Sequence, residues 1–307
     1  MRIQTRAYLY ASGAILAWST VASAFKLTLA ETGVAELLLV STWSSLLVLL
    51  AVAAVQGKLR AVRQWPLREW RHGALLGLLN PFLYYLVLFR AYDLLPAQEA
   101  QPLNYTWPIV LVILSAVVLR QRVRWYTGVA MATSFAGVIV IATRGDIFAL
   151  HFGSVEGVML AVGSSLLWAL YWVFNIRGDT DQVLRLMVNF LFGSVYVGVY
   201  YFLIPAREPI TMGGLFGAAY VGVFEMGLTF VLWLRALRLS SSTALVSNLV
   251  FLSPFLSLIV IHFVVGEEIA LSTVAGLLLI VGGIVIQRVG GRHGGELPPA
   301  ARAPEPH

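Results

Sequence analysis

The residues able to do chemistry in this chain are polar and aromatic side chains set at helical spacing inside apolar stretches. Gln98, Gln101, Asn104 with Tyr105, and Pro108 recur every three or four positions and so form one stripe. Ser164, Trp168, Tyr171 with Trp172, and Asn175 form a second, and Asn80 and Tyr84 stand one turn apart. Ser12, Trp18 and Ser19 mark a fourth face, and Ser247, Asn248 and Ser253 a fifth. Glu225 is a lone carboxylate in the middle of an apolar run. Polar groups in such surroundings must find partners or water, so their faces mark a cavity or a helix contact. The chemistry they offer is recognition by hydrogen bonding and stacking, not bond making. The plain alternative for any one stripe is helix–helix hydrogen bonding, worth about 0.6 kcal/mol per contact in membranes. Five stripes on helices that must converge favour a polar cavity.

The aromatic residues sharpen the ligand. Trp18, Tyr84, Trp107 and Trp168 fall inside the apolar runs, away from the interfacial belts where Trp and Tyr usually collect. A pocket walled by such rings suits Phe, Tyr or Trp, because ring pairs are worth about 0.5–1.5 kcal/mol beyond burial. Glu225 is a candidate site for a proton or for a substrate ammonium. Pro108 and Pro254 are candidate hinges, since Pro frees a carbonyl and kinks its helix. Lys26 and Arg90 are cations within reach of a substrate carboxylate, and no cationic cluster invites a polyanion.

The elements that carry these residues are membrane spans. The chain has 307 residues, 59% of them hydrophobic and only 12% charged, against about 25% charged in a soluble domain. Its mean hydropathy is +0.82. These values exclude an ordinary soluble fold and a disordered chain, and the +6 net charge is too dispersed for a nucleic-acid face. Cysteine is absent, the five His show no metal-ligand spacing, and there is no phosphate-cradling G-x-x-x-x-G-K-[ST] loop. No cofactor and no catalytic residue is expected.

Ten stretches are long and apolar enough to span a bilayer: 7–29, 36–56, 73–94, 97–119, 125–143, 153–175, 184–204, 213–234, 242–264 and 270–289. With the N-terminus cytoplasmic, 17 of the 21 Lys and Arg fall in inner segments, and four (Lys26, Arg90, Arg144, Arg207) fall outside. That asymmetry obeys the positive-inside rule and puts both chain ends in the cytoplasm. Arg2, Arg6 and Ala22-Ser23-Ala24 also fit a cleaved secretory leader, although the internal symmetry needs this first helix.

The chain repeats itself. Phe89-Arg90-Ala91-Tyr92-Asp93-Leu94 answers Leu234-Arg235-Ala236-Leu237-Arg238-Leu239, Pro108 answers Pro254, and Gly137 answers Gly283. Leu16-Ala17-Trp18 answers Leu166-Leu167-Trp168. The halves are 1–145 and 151–290, with residues 291–307 a Gly-, Pro- and Ala-rich cytoplasmic tail expected to be disordered. Five spans is an odd number, so the second half enters from the opposite side. Inverted repeats are a common transporter plan, with the site near the midplane between them.

Leu-x-Trp in the first helix of each half, Arg-Ala before a small-residue turn and a Pro in the next helix resemble the drug/metabolite transporter superfamily with its EamA-type domains. Gly266-Glu267, Gly276 with Leu-Leu-Leu-Ile, and Gly282-Gly283 resemble its closing phrase, whereas Arg120-Gln121-Arg122 departs from it in the first half. The aromatic content looks most like the YddG-type exporters of aromatic amino acids. The resemblance implies a ten-helix basket with spans 1, 3, 4, 6, 8 and 9 around a cavity. The expectation is therefore an all-α, multi-pass protein of a bacterial inner membrane that exports small amphipathic molecules, most of all aromatic amino acids. Export of other drugs or metabolites is the alternative on the same fold, and a channel-like or scaffold protein the alternative of another class. The lipid bilayer and a small-molecule substrate are the expected partners, with no nucleic acid.

Overall fold

The computed structural model describes residues 3–118, 125–146, 154–175, 180–205, 207–240 and 249–293. Among them every regular element is helical. α1 is Ile3–Leu29, α2 is Val34–Val55, and α3 runs through Leu67–Leu94. α4 comes in two pieces, Ala97–Asn104 and Trp107–Val118. α5 is Trp125–Ala142, α6 Val155–Asn175, α7 Gln182–Leu203 and α8 Met212–Leu239. α9 is Val250–Val265 and α10 is Leu271–His293. Helix is the form expected of these runs, because a backbone in lipid must satisfy its own hydrogen bonds.

Seven of these helices (α2, α3, α5, α6, α7, α8 and α10) are long and apolar enough to cross a membrane, and α9 is a shorter apolar helix. The described segments fall on the stretches read as spans. α3 begins six residues before the expected start at 73, because Pro66 in extended conformation opens the helix and Glu69 sits in its first turn. α10 continues to His293, three residues into the expected tail, and the rest of that tail lies outside the described residues.

Helix ends follow local chemistry. The Asp181 carboxylate caps α7, accepting from the Val183 and Leu184 amides at 2.9 and 3.3 Å. Thr211 caps α8 through the Gly214 amide at 2.9 Å. Gly266 ends α9 at φ +80°, in the left-handed region glycine adopts without strain.

The helices pack in a regular set of pairs. α5 packs along α10, and α2 along α7. α3 packs on α6 and α8 on α1, while α4 also lies on α6 and α9 on α1. The α5–α10 contact is backbone to backbone. A Cβ on Gly137 would strike the Gly276 carbonyl, and one on Gly283 would strike Ser134 and the Ala130 carbonyl. Gly128 and Gly282, on the same two helices, have open space instead.

Candidate functional site

Four helices break their regular form where the polar stripes lie. In α3 the residues Leu78–Leu83 form a π-helical turn, within which Asn80 has φ −146° and ψ 120° ahead of Pro81. In α8 the residues Val221–Gly227 form another, and it holds Glu225. Asn80 and Glu225 are related by the same sequence step that relates Arg90 to Arg235. α4 breaks at Tyr105–Thr106, so that Pro108 opens its second piece. Pro254 likewise opens the Ser253–Val260 stretch of α9, after a 3-10 turn at Val250–Leu252. The two prolines thus stand at matching breaks. π-turns inside α-helices occur often at functional sites.

Between these breaks lies a cleft of about 580 Å³, counting its open mouth. Eight of the residues singled out in the sequence line it: Trp18, Tyr84, Gln101, Asn104, Tyr105, Trp107, Trp168 and Glu225. Tyr84 donates to Asn104 Oδ1 at 3.4 Å, and Asn104 Nδ2 donates to Ser164 at 2.8 Å, which ties α3, α4 and α6 together. Trp168 is the hub of the aromatic wall. Its ring lies 4.7 Å from Tyr84, 6.0 Å from Tyr171, 5.8 Å from Trp172 and 5.7 Å from Phe230. Trp18 reaches the same Phe230 at 6.4 Å.

Glu225 is buried, with 8% of its surface exposed. Its Oε1 accepts from the Tyr85 hydroxyl at 3.1 Å. No donor meets hydrogen-bond geometry at its buried Oε2 among the described residues, although the Trp18 indole also faces the carboxylate. An unpartnered buried carboxylate oxygen facing a cleft is costly unless something else occupies it.

The other candidates stand elsewhere. Ser19 bonds back to the Ile15 carbonyl at 2.7 Å, as a hydroxyl within a helix does when it has no outside partner. Asn80 is wholly buried in the α3 break with both side-chain polar atoms unpartnered. Tyr171 is buried behind Trp168 and accepts from Asn189 at 3.2 Å. Trp172 packs edge-on against Trp168, one ring back from the cleft. Gln98 belongs to a clamp described next, and Asn248 lies outside the described residues.

That clamp fastens one end of α4 to the α9–α10 connection. Glu267 accepts from the backbone amides of Ala97 at 2.8 Å and Gln98 at 3.1 Å, so it caps α4 from another helix pair. The Gln98 side chain donates to the Glu268 carbonyl at 2.8 Å and accepts from the Ala270 amide at 2.8 Å. Nearby, Arg144 pairs with Glu99 at 2.9 Å. The cations considered for a substrate carboxylate are committed at this same end. Lys26 Nζ donates to the Tyr92 and Leu95 carbonyls, both at 2.9 Å, and so caps the end of α3. Arg90 pairs with Asp93 at 2.5 Å and Glu156 at 3.5 Å. At the opposite end of α3, Lys58 pairs with Asp181 at 2.6 Å.

The structure also adds lining residues that the sequence reading passed over. Val21, Ala22 and Phe25 extend the Trp18 face of α1, and Leu88 and Tyr92 extend the Tyr84 face of α3. Their spacing of three, four and seven from Trp18 and of four and eight from Tyr84 carries the signal, hidden because most of them are apolar in an apolar helix.

This chain belongs to the EamA-like transporter family, whose model matches residues 5–143 and again 155–288. It is a member of a class of multi-pass membrane transporters. Among curated relatives, it is 28% identical over 245 residues to the uncharacterized transporter YvbV of Bacillus subtilis (strain 168), covering 78% of this chain and 77% of that one. It is 31% identical over 166 residues to the aromatic amino acid exporter YddG of Ancylobacter novellus, covering 53% and 56%. A solved crystal structure, 24% identical, aligns with 96% of this chain and 100% of its own at a TM-score of 0.64, which speaks for the fold alone.

Proposed function

We propose that this chain is a secondary transporter that exports small amphipathic metabolites, aromatic amino acids first among them, from a bacterial cytoplasm across the inner membrane. The observation that carries the reading is the cleft itself, where Trp18, Tyr84, Trp107 and Trp168 meet a buried carboxylate and the amides of Gln101 and Asn104. Aromatic walls with a few convergent polar groups are what a small-molecule site consists of. The partial match to an aromatic amino acid exporter points the same way.

In this reading ten helices cross the bilayer with both ends in the cytoplasm, as two inverted repeats over 1–145 and 151–290. The helix pairing that maps one half onto the other supports it, as do the two successive family matches. Rocking of the halves about the cleft gives alternating access, with the breaks before Pro108 and Pro254 as hinges. Glu225 holds a proton or the substrate ammonium. Export of other metabolites through the same cleft is the second reading, favoured by the longer match to a transporter of no stated substrate. Efflux of phenylalanine and tryptophan from loaded proteoliposomes tests the proposal. Flux equal to that of empty liposomes rejects the aromatic substrate.

A further inference from the structure

The charges around the cleft are one-sided. Glu225 is the sole acidic side chain lining it, and neither Lys nor Arg lines it among the described residues. The cations closest in sequence to its walls are engaged at the end of α3, Lys26 on two carbonyls and Arg90 on two carboxylates. Arg144 is held by Glu99. Residues 241–248, which precede the α9 wall, contain no charged residue. Glu225 Oε2 is meanwhile buried and unpartnered, and the Tyr85 bond leaves it free by holding the other oxygen. The rings of Trp18 and Trp168 stand in the same cleft, and aromatic faces attract cations.

We propose that this cleft reads an ammonium group through Glu225 and an aromatic body through Trp18, Tyr84 and Trp168, and that it does not read a carboxylate. Aromatic monoamines lacking the carboxyl group are then ligands and substrates in their own right. The inference rests on the cleft being the transport site. An ammonium seated on Glu225 Oε2 supplies a hydrogen bond there and a counter-charge to the one carboxylate lining the cleft. A carboxylate placed beside it would meet only neutral donors such as Gln101, Asn104 and Trp107, while sharing the cleft with a like charge.

Three ligands with one phenyl ring separate the groups: phenethylamine carries only the ammonium, 3-phenylpropionate only the carboxylate, and phenylalanine both. Binding to the purified full chain, by calorimetry, is expected to rank phenethylamine equal to or above phenylalanine, with 3-phenylpropionate at least about tenfold weaker. Glu225→Gln is expected to weaken phenethylamine at least about tenfold and to leave 3-phenylpropionate no weaker than before. Equal or tighter binding of 3-phenylpropionate in the unaltered protein overturns the inference and needs no variant that folds. Phenylalanine transport without phenethylamine binding overturns it while the proposed function stands. Absence of binding by all three, with no transport, overturns both.

Discussion

Trp18 and Trp168 occupy matching Leu-x-Trp phrases far apart in the chain, and both line one cleft and pack on one ring, Phe230, at 6.4 and 5.7 Å. Two tryptophans from matching phrases of the sequence thus converge on a shared surface. Trp168 is the more connected of the two, because it also meets Tyr84, Tyr171 and Trp172. Trp168→Ala removes several ring contacts, each worth about 0.5–1.5 kcal/mol. The expected result is a loss of aromatic-substrate affinity of at least about tenfold with the protein still folded. Flux at the unaltered level in proteoliposomes would remove Trp168 from the site.

Tyr85→Phe leaves Glu225 Oε1 without its donor in a buried setting. A buried acceptor left unsatisfied costs about 1–3 kcal/mol, so the melting temperature in detergent is expected to fall. Adding Glu225→Gln should cost less than the two single losses together, since one interaction is removed twice. Full additivity would show that the two side chains are not coupled.

The α5–α10 contact has a built-in control. Gly276→Val would drive a side chain into the Gly137 carbonyl and Ile141, whereas Gly282→Ala points into open space. Overpacking is expected to cost about 1–3 kcal/mol at the first position and almost nothing at the second. Equal melting temperatures for the two variants would contradict the close backbone approach.

Asp181 lies outside the proposed spans and carries a pH signature. Burial pushes its carboxyl up, but the Lys58 ammonium and the Leu184 and Val183 amides push it down further, leaving it below the usual range. A carboxyl lowered in the folded state binds its proton less readily there than in the unfolded chain. Its stabilisation is therefore complete above the ordinary value of about 3.9 and is lost as pH falls through the lowered one. Asp181→Asn retains a helix cap but not the ion pair, so the melting temperature should drop near neutral pH and fall less steeply on acidification. An unchanged acid limb would show that Asp181 is not responsible for it.

Glu267 explains one motif the sequence displayed without a role. The Gly266-Glu267 pair turns the chain out of α9 and caps α4 from across the molecule. Glu267→Ala strands two backbone amides, and hydrogen exchange at Ala97 and Gln98 should speed up by about tenfold or more. No change in exchange would show that another group holds that end of α4.

How much of the site the sequence displayed depended on helix regularity. Gln101, Asn104 and Tyr105 could be placed on one face because the first piece of α4 is a regular helix up to Asn104. Gln98 shares their periodicity, but it sits in the first turn, where its nearest neighbours are the α9–α10 connection rather than the cleft. Asn80 and Tyr84 are one turn apart by count, yet the non-helical backbone at Asn80 takes it off the Tyr84 face. Nothing in a count of 3.6 residues per turn foresees a π-turn. Phe25 and Tyr92 are hidden in the sequence for the opposite reason. They follow the period faithfully, but apolar residues in an apolar helix give no contrast by which to choose a face.

Substrate counterflow is the measurement closest to the proposed activity. Proteoliposomes of the unaltered chain are loaded with excess unlabelled phenylalanine, and labelled phenylalanine is added outside. Alternating access through one cleft predicts a transient accumulation of label above equilibrium, saturable in phenylalanine and diminished by Trp168→Ala. Label that only equilibrates, without overshoot or saturation, would contradict a carrier mechanism and point to a passive pore.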